Sequence, residues 1–472
     1  MFINGKWVTT NNKINVFNPA TSELYQQVSQ GDASDSEKAI SAAKKAFDSW
    51  SQLTGFERAN YLEQIARKIV EKKEVLAKTI TLEMGKAITN ARYEVDSTAS
   101  FFKWFAEEAR RTYGETIPAA KRNKRLMEIK QPVGVVAAIT PWNFPLSMGA
   151  RKLAPALAAG CTVILRPSNS SPMSAIELFK IFEECNLPKG VVNLLIGSAD
   201  EVVDPILESP IVRKISFTGS TEVGKLLVSK SAATLKRVSM ELGGHAPYIV
   251  FDDANLDQAV EGAITIKFGC AGQQCTSVNR FYVHDKIYDE FIERYKEKIT
   301  ELKVGNGIED ACQVGPLISE NAIKKVEEHV KDAVGLGANL VLGGNRLTGD
   351  NYDHGFFYQP TLLTNVDETM KISREETFGP IAPIFRFYTQ EEVIQKANAT
   401  NFGLAAYFFT NNLTRAYEVM ENLEFGMVGV NDAYPFATEG SFGGVKESGV
   451  GREGGHGIDE YLERKFVSIA LY

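Results

Sequence analysis

Apolar residues early in the chain recur at helical spacing. Across residues 34–50, polar capping candidates precede Ala39, Ile40, Ala43, Ala46, Phe47 and Trp50, which share one face and predict an amphipathic helix. From residue 57 to about 111 the same period predicts successive helices, interrupted near Met84-Gly85. The chain is therefore expected to open largely helical. From residue 133 the texture changes, with short apolar runs at 133–139, 162–165, 191–196, 214–217 and 247–251 alternating with helical patterns at 174–185, 200–208 and 220–231. Strands alternating with helices at this spacing predict a parallel sheet covered on both faces. After Asn255 a second alternation, with helices at 288–303 and 321–335 and strands at 338–342, 381–387 and 427–430, predicts a second α/β domain. A glycine-rich tract at 442–457 and a last strand-like run at 466–471 read as a tail that docks on another domain or subunit.

Length supports that division, because 472 residues exceed what one hydrophobic core usually sustains. Hydrophobic residues at 44% and charged residues at 24% describe an ordinary globular chain. With 52 basic and 59 acidic side chains, the formal charge of −7 carries no footprint for nucleic acid. No uncharged apolar run approaches membrane-spanning length and residues 1–7 lack a signal pattern, so no membrane partner is expected and the protein is expected to be cytoplasmic. The five cysteines form no C-x-x-C pair and the five histidines are isolated, so neither a disulfide framework nor a metal is expected.

Gly449-x-Gly451-x-x-Gly454 matches a dinucleotide fingerprint by letter, but it does not join a strand to a helix and is rejected on that ground. A better phosphate site is the turn Thr218-Gly219-Ser220, where an apolar strand runs into a helix and glycine lets backbone approach an anion. A free cysteine is most often a small buried hydrophobe, and Cys161 and Cys185 fit that description. Cys275 instead follows Gly272-Gln273-Gln274 in a loop, a setting suited to an approachable thiol.

Five blocks then share one pattern: Pro141-Trp142-Asn143-Phe144-Pro145, residues 217–224, Met240-Glu241-Leu242-Gly243-Gly244, residues 268–275, and Glu375-Glu376-Thr377-Phe378-Gly379-Pro380. In order and interval they resemble the signature blocks of the aldehyde dehydrogenase superfamily, over essentially the whole chain. The resemblance implies an α/β fold with a Rossmann-type dinucleotide-binding domain (1–111 and 130–244), an α/β catalytic domain (245–440), and a small β bridging and oligomerisation element (112–129 and 441–472). It implies Cys275 as nucleophile, with the Asn143 amide and the Cys275 N–H facing the oxyanion, Glu241 as base for thioester hydrolysis, and Lys152 as a proton relay matched with Glu463.

Cofactor positions carry over to Trp142 and Ser220 near the pyrophosphate, Arg166 near the adenosine ribose, and Glu376 and Phe378 near the nicotinamide. Thr140, Pro141, Ser168, Asn169, Gly219, Glu222 and Leu242 complete that set. Most relatives read Lys-Pro-x-Glu where this chain reads Arg166-Pro167-Ser168-Asn169. The missing carboxylate removes repulsion of a 2′-phosphate, so NADP is favoured over NAD. Residues 104–110, 240–247 and 403–408 look most similar to the succinate-semialdehyde dehydrogenase branch, which implies that Arg151 holds a substrate carboxylate; a second arginine of that branch is replaced by Gly269. Other small aldehydes and a cysteine-dependent esterase are the alternatives. The family's assembly implies a homodimer or homotetramer.

Overall fold

Four short strands precede the first helix in the computed structural model, whose described residues are 1–349 and 351–472. This corrects the expectation of a helical opening. Phe2–Ile3 and Lys6–Trp7 are too short to show a period, and Phe2 pairs with Leu194, far along the chain. The helices then follow their local signals. Asp32 caps Ala33–Trp50 by accepting from the Asp35 N–H, and Thr54 and Glu57 form a reciprocal capping box on Gly55–Glu71. Lys73–Met84 ends at Gly85, whose φ of 87° is the left-handed stop that favours glycine. Ile88–Ala109 completes the bundle. The 200–208 helix divides into Ala199–Val202 and Asp204–Glu208, with Pro205 in the first turn of the second.

The first sheet has a parallel centre ordered Arg237–Glu241, Val212–Thr218, Val135–Ile139, Thr162–Arg166, Val192–Leu194. Chain order runs outward from Val135–Ile139 to Val192–Leu194, then returns to the other side. The two directions part between Val135–Ile139 and Val212–Thr218, and at such a switch point the loops leaving the carboxyl ends diverge into a crevice.

A second sheet of seven strands is built from Asn339–Leu342, Thr361–Thr364, Ile381–Phe387, Val278–His284, Ala246–Val250, Ala405–Phe409 and Met427–Val430, in that order. Its strand Val278–His284 is buried from Val278 to Val283 yet carries Asn279 and Arg280, which hide it from an apolar-run reading. The Arg280 guanidinium is accommodated by the carbonyls of His245, Lys396 and Ala397. The tail strand Leu462–Ala470 pairs antiparallel with Lys124–Pro132, and Glu115–Ile117 completes a third, small sheet. Among the described residues no helix is long and apolar enough to cross a membrane, and no group of three or more His, Cys, Asp or Glu could hold a metal ion.

Candidate active site

Parallel register brings the predicted residues to one edge. Ile139 stands beside Arg166 and Phe217, and Thr218 beside Glu241. The Thr140 N–H donates to the Arg166 carbonyl at 3.1 Å and the Gly219 N–H to the Glu241 carbonyl at 3.0 Å, so the four loops leave the sheet together. Ser220 caps Thr221–Ser231 through the Val223 N–H, and both Ser220 and Glu222 stay exposed in its opening turn. A Cβ at Gly224 would lie 2.4 Å from Leu242, so glycine permits that helix to lie close to the strand ends.

The cleft so formed encloses about 360 Å³ between the two sheets. Pro141, Trp142, Asn143, Gly219, Ser220, Leu242, Cys275, Glu376 and Phe378 line it with Thr218, Gly243 and Thr377 from the same blocks, together with Met148, Asn321, Ala322 and Lys325, which the sequence reading did not single out. Asn321 and Lys325 belong to Glu320–Gly335, a helix with no motif to announce them. Thr140, Arg166, Ser168, Asn169 and Glu222 are not in this wall and lie along or after the strand edge. Buried polar atoms without partners gather here: Thr140 Oγ1, Arg166 Nε, Asn169 Oδ1 and Thr218 Oγ1. A polar ligand lying along this edge would satisfy them, and the exposed turn at Ser220 offers the N–H groups of a helix start. The donor set fits a dinucleotide.

Across the cleft, Leu256–Phe268 ends in a run of left-handed residues, Cys270 (φ 51°), Ala271 (φ 54°) and Gly272 (φ 74°), which turns the chain so that Cys275 faces the cavity. The turn is held tightly. A Cβ on Gly272 would fall 2.2 Å from the Gly379 carbonyl oxygen. Gln274 Nε2 donates to the Gly269 carbonyl at 2.8 Å, and Asn143 Nδ2 donates to the Gln273 carbonyl at 2.9 Å. Asn143 Nδ2 carries a second N–H, available to an oxygen in the cleft.

Cys275 is partly exposed, whereas the other four cysteines are buried. Enclosure by protein pushes its thiol up to about 12; Glu376 adds to that shift and Arg151 opposes it. The Glu376 carboxyl accepts from the Gly244 N–H at 3.0 Å, and burial raises it to about 7 against that bond. Trp142 and Phe378 meet edge to face at 5.7 Å.

Glu241 does not line the cleft. Its carboxyl is buried behind it, with Oε2 unpartnered. Burial raises its pKa well above the ordinary value, Glu453 adds to the rise, and Lys152 and Arg151 oppose it. Lys152 Nζ lies 2.5 Å from Glu453 Oε1, both buried. This corrects the match of Lys152 with Glu463, which is exposed on the small sheet opposite Gln131. The signal for Glu453 stood in Gly451-Arg452-Glu453-Gly454, inside the rejected glycine tract. That tract supplies an edge strand, Gly449–Val450, antiparallel to Met240 and Glu241.

Arg151 sits in a neighbouring cavity of about 270 Å³ with Tyr93, Phe101, Tyr434, Phe436 and Phe442. Its guanidinium stacks 4.2 Å from the Phe442 ring centre and 5.1 Å from that of Phe101. Nη1 is 3.8 Å from Glu453 Oε2, and neither Nε nor Nη1 has a hydrogen-bond partner.

A family profile described as "Aldehyde dehydrogenase family" matches residues 7–467. The chain belongs to that family. It is 49% identical over 471 residues to 3-sulfolactaldehyde dehydrogenase of Pseudomonas putida, covering 99% of this chain and 96% of that one. Identity is 48% to succinate-semialdehyde dehydrogenase [NADP(+)] of Escherichia coli strain K12, covering 99% and 97%. The solved structure of an aldehyde dehydrogenase from Brucella melitensis biovar abortus superposes with a TM-score of 0.98 at 48% identity, covering 100% of this chain and 97% of the other. The expected fold and enzyme class are therefore those of this oxidoreductase family, with a full-length match.

Proposed function

We propose that this aldehyde dehydrogenase converts a small aldehyde bearing a remote anionic group, with succinate semialdehyde as the leading candidate, to its carboxylate, and uses NADP in preference to NAD. The observation that carries the reading is Cys275, the one cysteine that is not buried, facing a cleft that also presents Asn143 and Glu376. The Cys275 sulfur adds to the aldehyde carbon as thiolate, giving a tetrahedral oxyanion faced by the Asn143 amide and the Cys275 N–H. Trp142, Arg166, Ser220 and Glu376 would hold the dinucleotide, which when bound would supply the hydride acceptor. With the hydride gone, an acyl thioester remains on Cys275. Glu241, whose charge reaches Cys275, then takes a proton from the water that hydrolyses it, and the rise that burial gives its pKa makes its carboxylate a stronger base than a solvated one. Lys152 and Glu453 lie within electrostatic reach of Glu241 and give that proton a route onward.

Two features support the finer assignments. Asn169 stands in the loop after Arg166, where a carboxylate would repel a 2′-phosphate. Arg151 keeps unpartnered N–H groups in an aromatic cavity, and the two relatives named above act, by name, on aldehydes that carry a sulfonate or a carboxylate. We further infer assembly as a homodimer or homotetramer through the small sheet.

Steady-state kinetics test the reading, with reduced dinucleotide followed optically and succinate semialdehyde set against an uncharged aldehyde of similar length. Cys275→Ala should lower turnover by roughly 10⁴-fold or more while dinucleotide still binds. Arg151→Ala should cost the acid aldehyde about 10- to 100-fold in kcat/KM and the uncharged one little. Undiminished turnover in the first variant overturns the mechanism; an unchanged preference in the second overturns the substrate.

A further inference from the structure

We propose that Glu94 is a positioning residue for Asn143. Together with Lys86 and the Phe144 ring, it clamps the turn that presents the Asn143 amide to the reacting oxygen; this rests on the role given to Asn143 above.

Glu94 lies on Ile88–Ala109, far in sequence from any signature block, and its side chain is fully buried. One carboxylate oxygen, Oε1, accepts from the backbone N–H groups of Leu146 at 3.0 Å and Ser147 at 3.1 Å. These open the helix Ser147–Ala159, which has no side-chain cap of its own and no acidic residue in its first turn. The unpaired N–H groups and positive end of that helix are thus served from a different helix. The other oxygen accepts from Lys86 Nζ at 2.6 Å. Lys86 is also fully buried, and its ammonium lies 3.5 Å from the centre of the Phe144 ring. A single buried carboxylate therefore fixes residues 144, 146 and 147 at once, directly after Asn143.

The contacts continue to the nucleophile. Asn143 Nδ2 donates to the Gln273 carbonyl, two residues before Cys275, and the Asn143 carbonyl lies 4.0 Å from the Cys270 sulfur. The clamp is anchored behind as well. The Ile88 N–H donates to the Gly307 carbonyl, and a Cβ on Gly307 would lie 2.5 Å from the Lys86 carbonyl oxygen. A buried ion pair is weak evidence for stability by itself. Its geometry here serves a donor that must meet a developing charge, where a displacement of about 1 Å costs on the order of 100-fold.

The test is a double-mutant cycle on the full-length enzyme, read as the single-turnover rate of aldehyde oxidation. Glu94→Gln keeps shape but removes the charge that binds Lys86. It should lower the rate about 10- to 100-fold in the parent, with KM for aldehyde changed less than about threefold, and less than about threefold in an Asn143→Ala background. A merely structural role would multiply the losses, so an equal factor in both backgrounds overturns the proposal, as does a parent rate within about twofold of wild type. If Glu94→Gln does not fold, Phe144→Leu, which removes the ring beneath the ammonium, decides by the same comparison between backgrounds. Should Asn143→Ala alone leave the rate unchanged, the role of Asn143 falls instead, and the proposal with it.

Discussion

At Cys275 two requirements oppose each other, because addition to a carbonyl needs thiolate while the enclosure that shields the reacting carbon penalises charge. Burial and Glu376 hold the thiol at about 12, so only a minute fraction is ionised at neutral pH in the free enzyme. Alkylation of Cys275 by iodoacetamide, measured without dinucleotide, should therefore accelerate about tenfold for each unit between pH 7 and pH 9. A rate that levels off below pH 8 would show a thiol already activated by its surroundings. Residues differ in how far their sequence setting betrays them. Cys275 was legible because glycine and two glutamines are a poor setting for a core side chain. Lys152 was legible only in half: its charge partner, Glu453, lies 301 positions away, and no local pattern encodes such a pairing. Glu94 was invisible, since a carboxylate on an amphipathic helix reads as a solvated face until packing shows it buried.

Elements follow the same division between local and distant causes. Helices with their own caps were readable at their starts, and Met173–Glu184 was readable from its period alone, since it has no side-chain cap of its own and borrows Glu83, whose carboxyl accepts from Met173 N at 2.6 Å and Ser174 N at 2.9 Å and is also bonded by the Ser174 hydroxyl. Burial outweighs these bonds and raises Glu83 to about 8. The unfolded chain releases this proton near pH 4.5 and the folded protein keeps it to about pH 8, so the unfolded state binds fewer protons in that window and stability falls as pH rises through it. Glu83→Gln should remove a pH-dependent loss on the order of 2–4 kcal/mol, seen as a flatter plot of unfolding midpoint against pH from 5 to 8. An unaltered slope would mean that Glu83 ionises in the fold near its usual value. Strands with polar ends or an interior charge, Arg237–Glu241 and Val278–His284, escaped an apolar-run reading because they bury polar side chains such as Arg280, whose carbonyl partners at His245, Lys396 and Ala397 are brought in only by folding.

For the molecule as a whole, the small sheet leaves Phe466, Ile469 and Leu471 exposed on the tail, an apolar surface suited to meeting another copy. Light scattering should give a mass of two or four chains, and Phe466→Asp should lower that mass. A monomer of wild-type sequence with full activity would overturn the assembly proposed for this sheet. Hydrophobic period and turn chemistry determined, without any coordinates, that helices and a parallel sheet alternate and that Cys275 sits on a loop, because each of these depends on residues a few positions apart. Folding decided which strands neighbour one another, where the crevice opens between Val135–Ile139 and Val212–Thr218, which acid faces Lys152, and that Glu94 braces Asn143. Those outcomes depend on burial and on partners separated by tens to hundreds of positions, so their energies exist only once the chain has closed on itself.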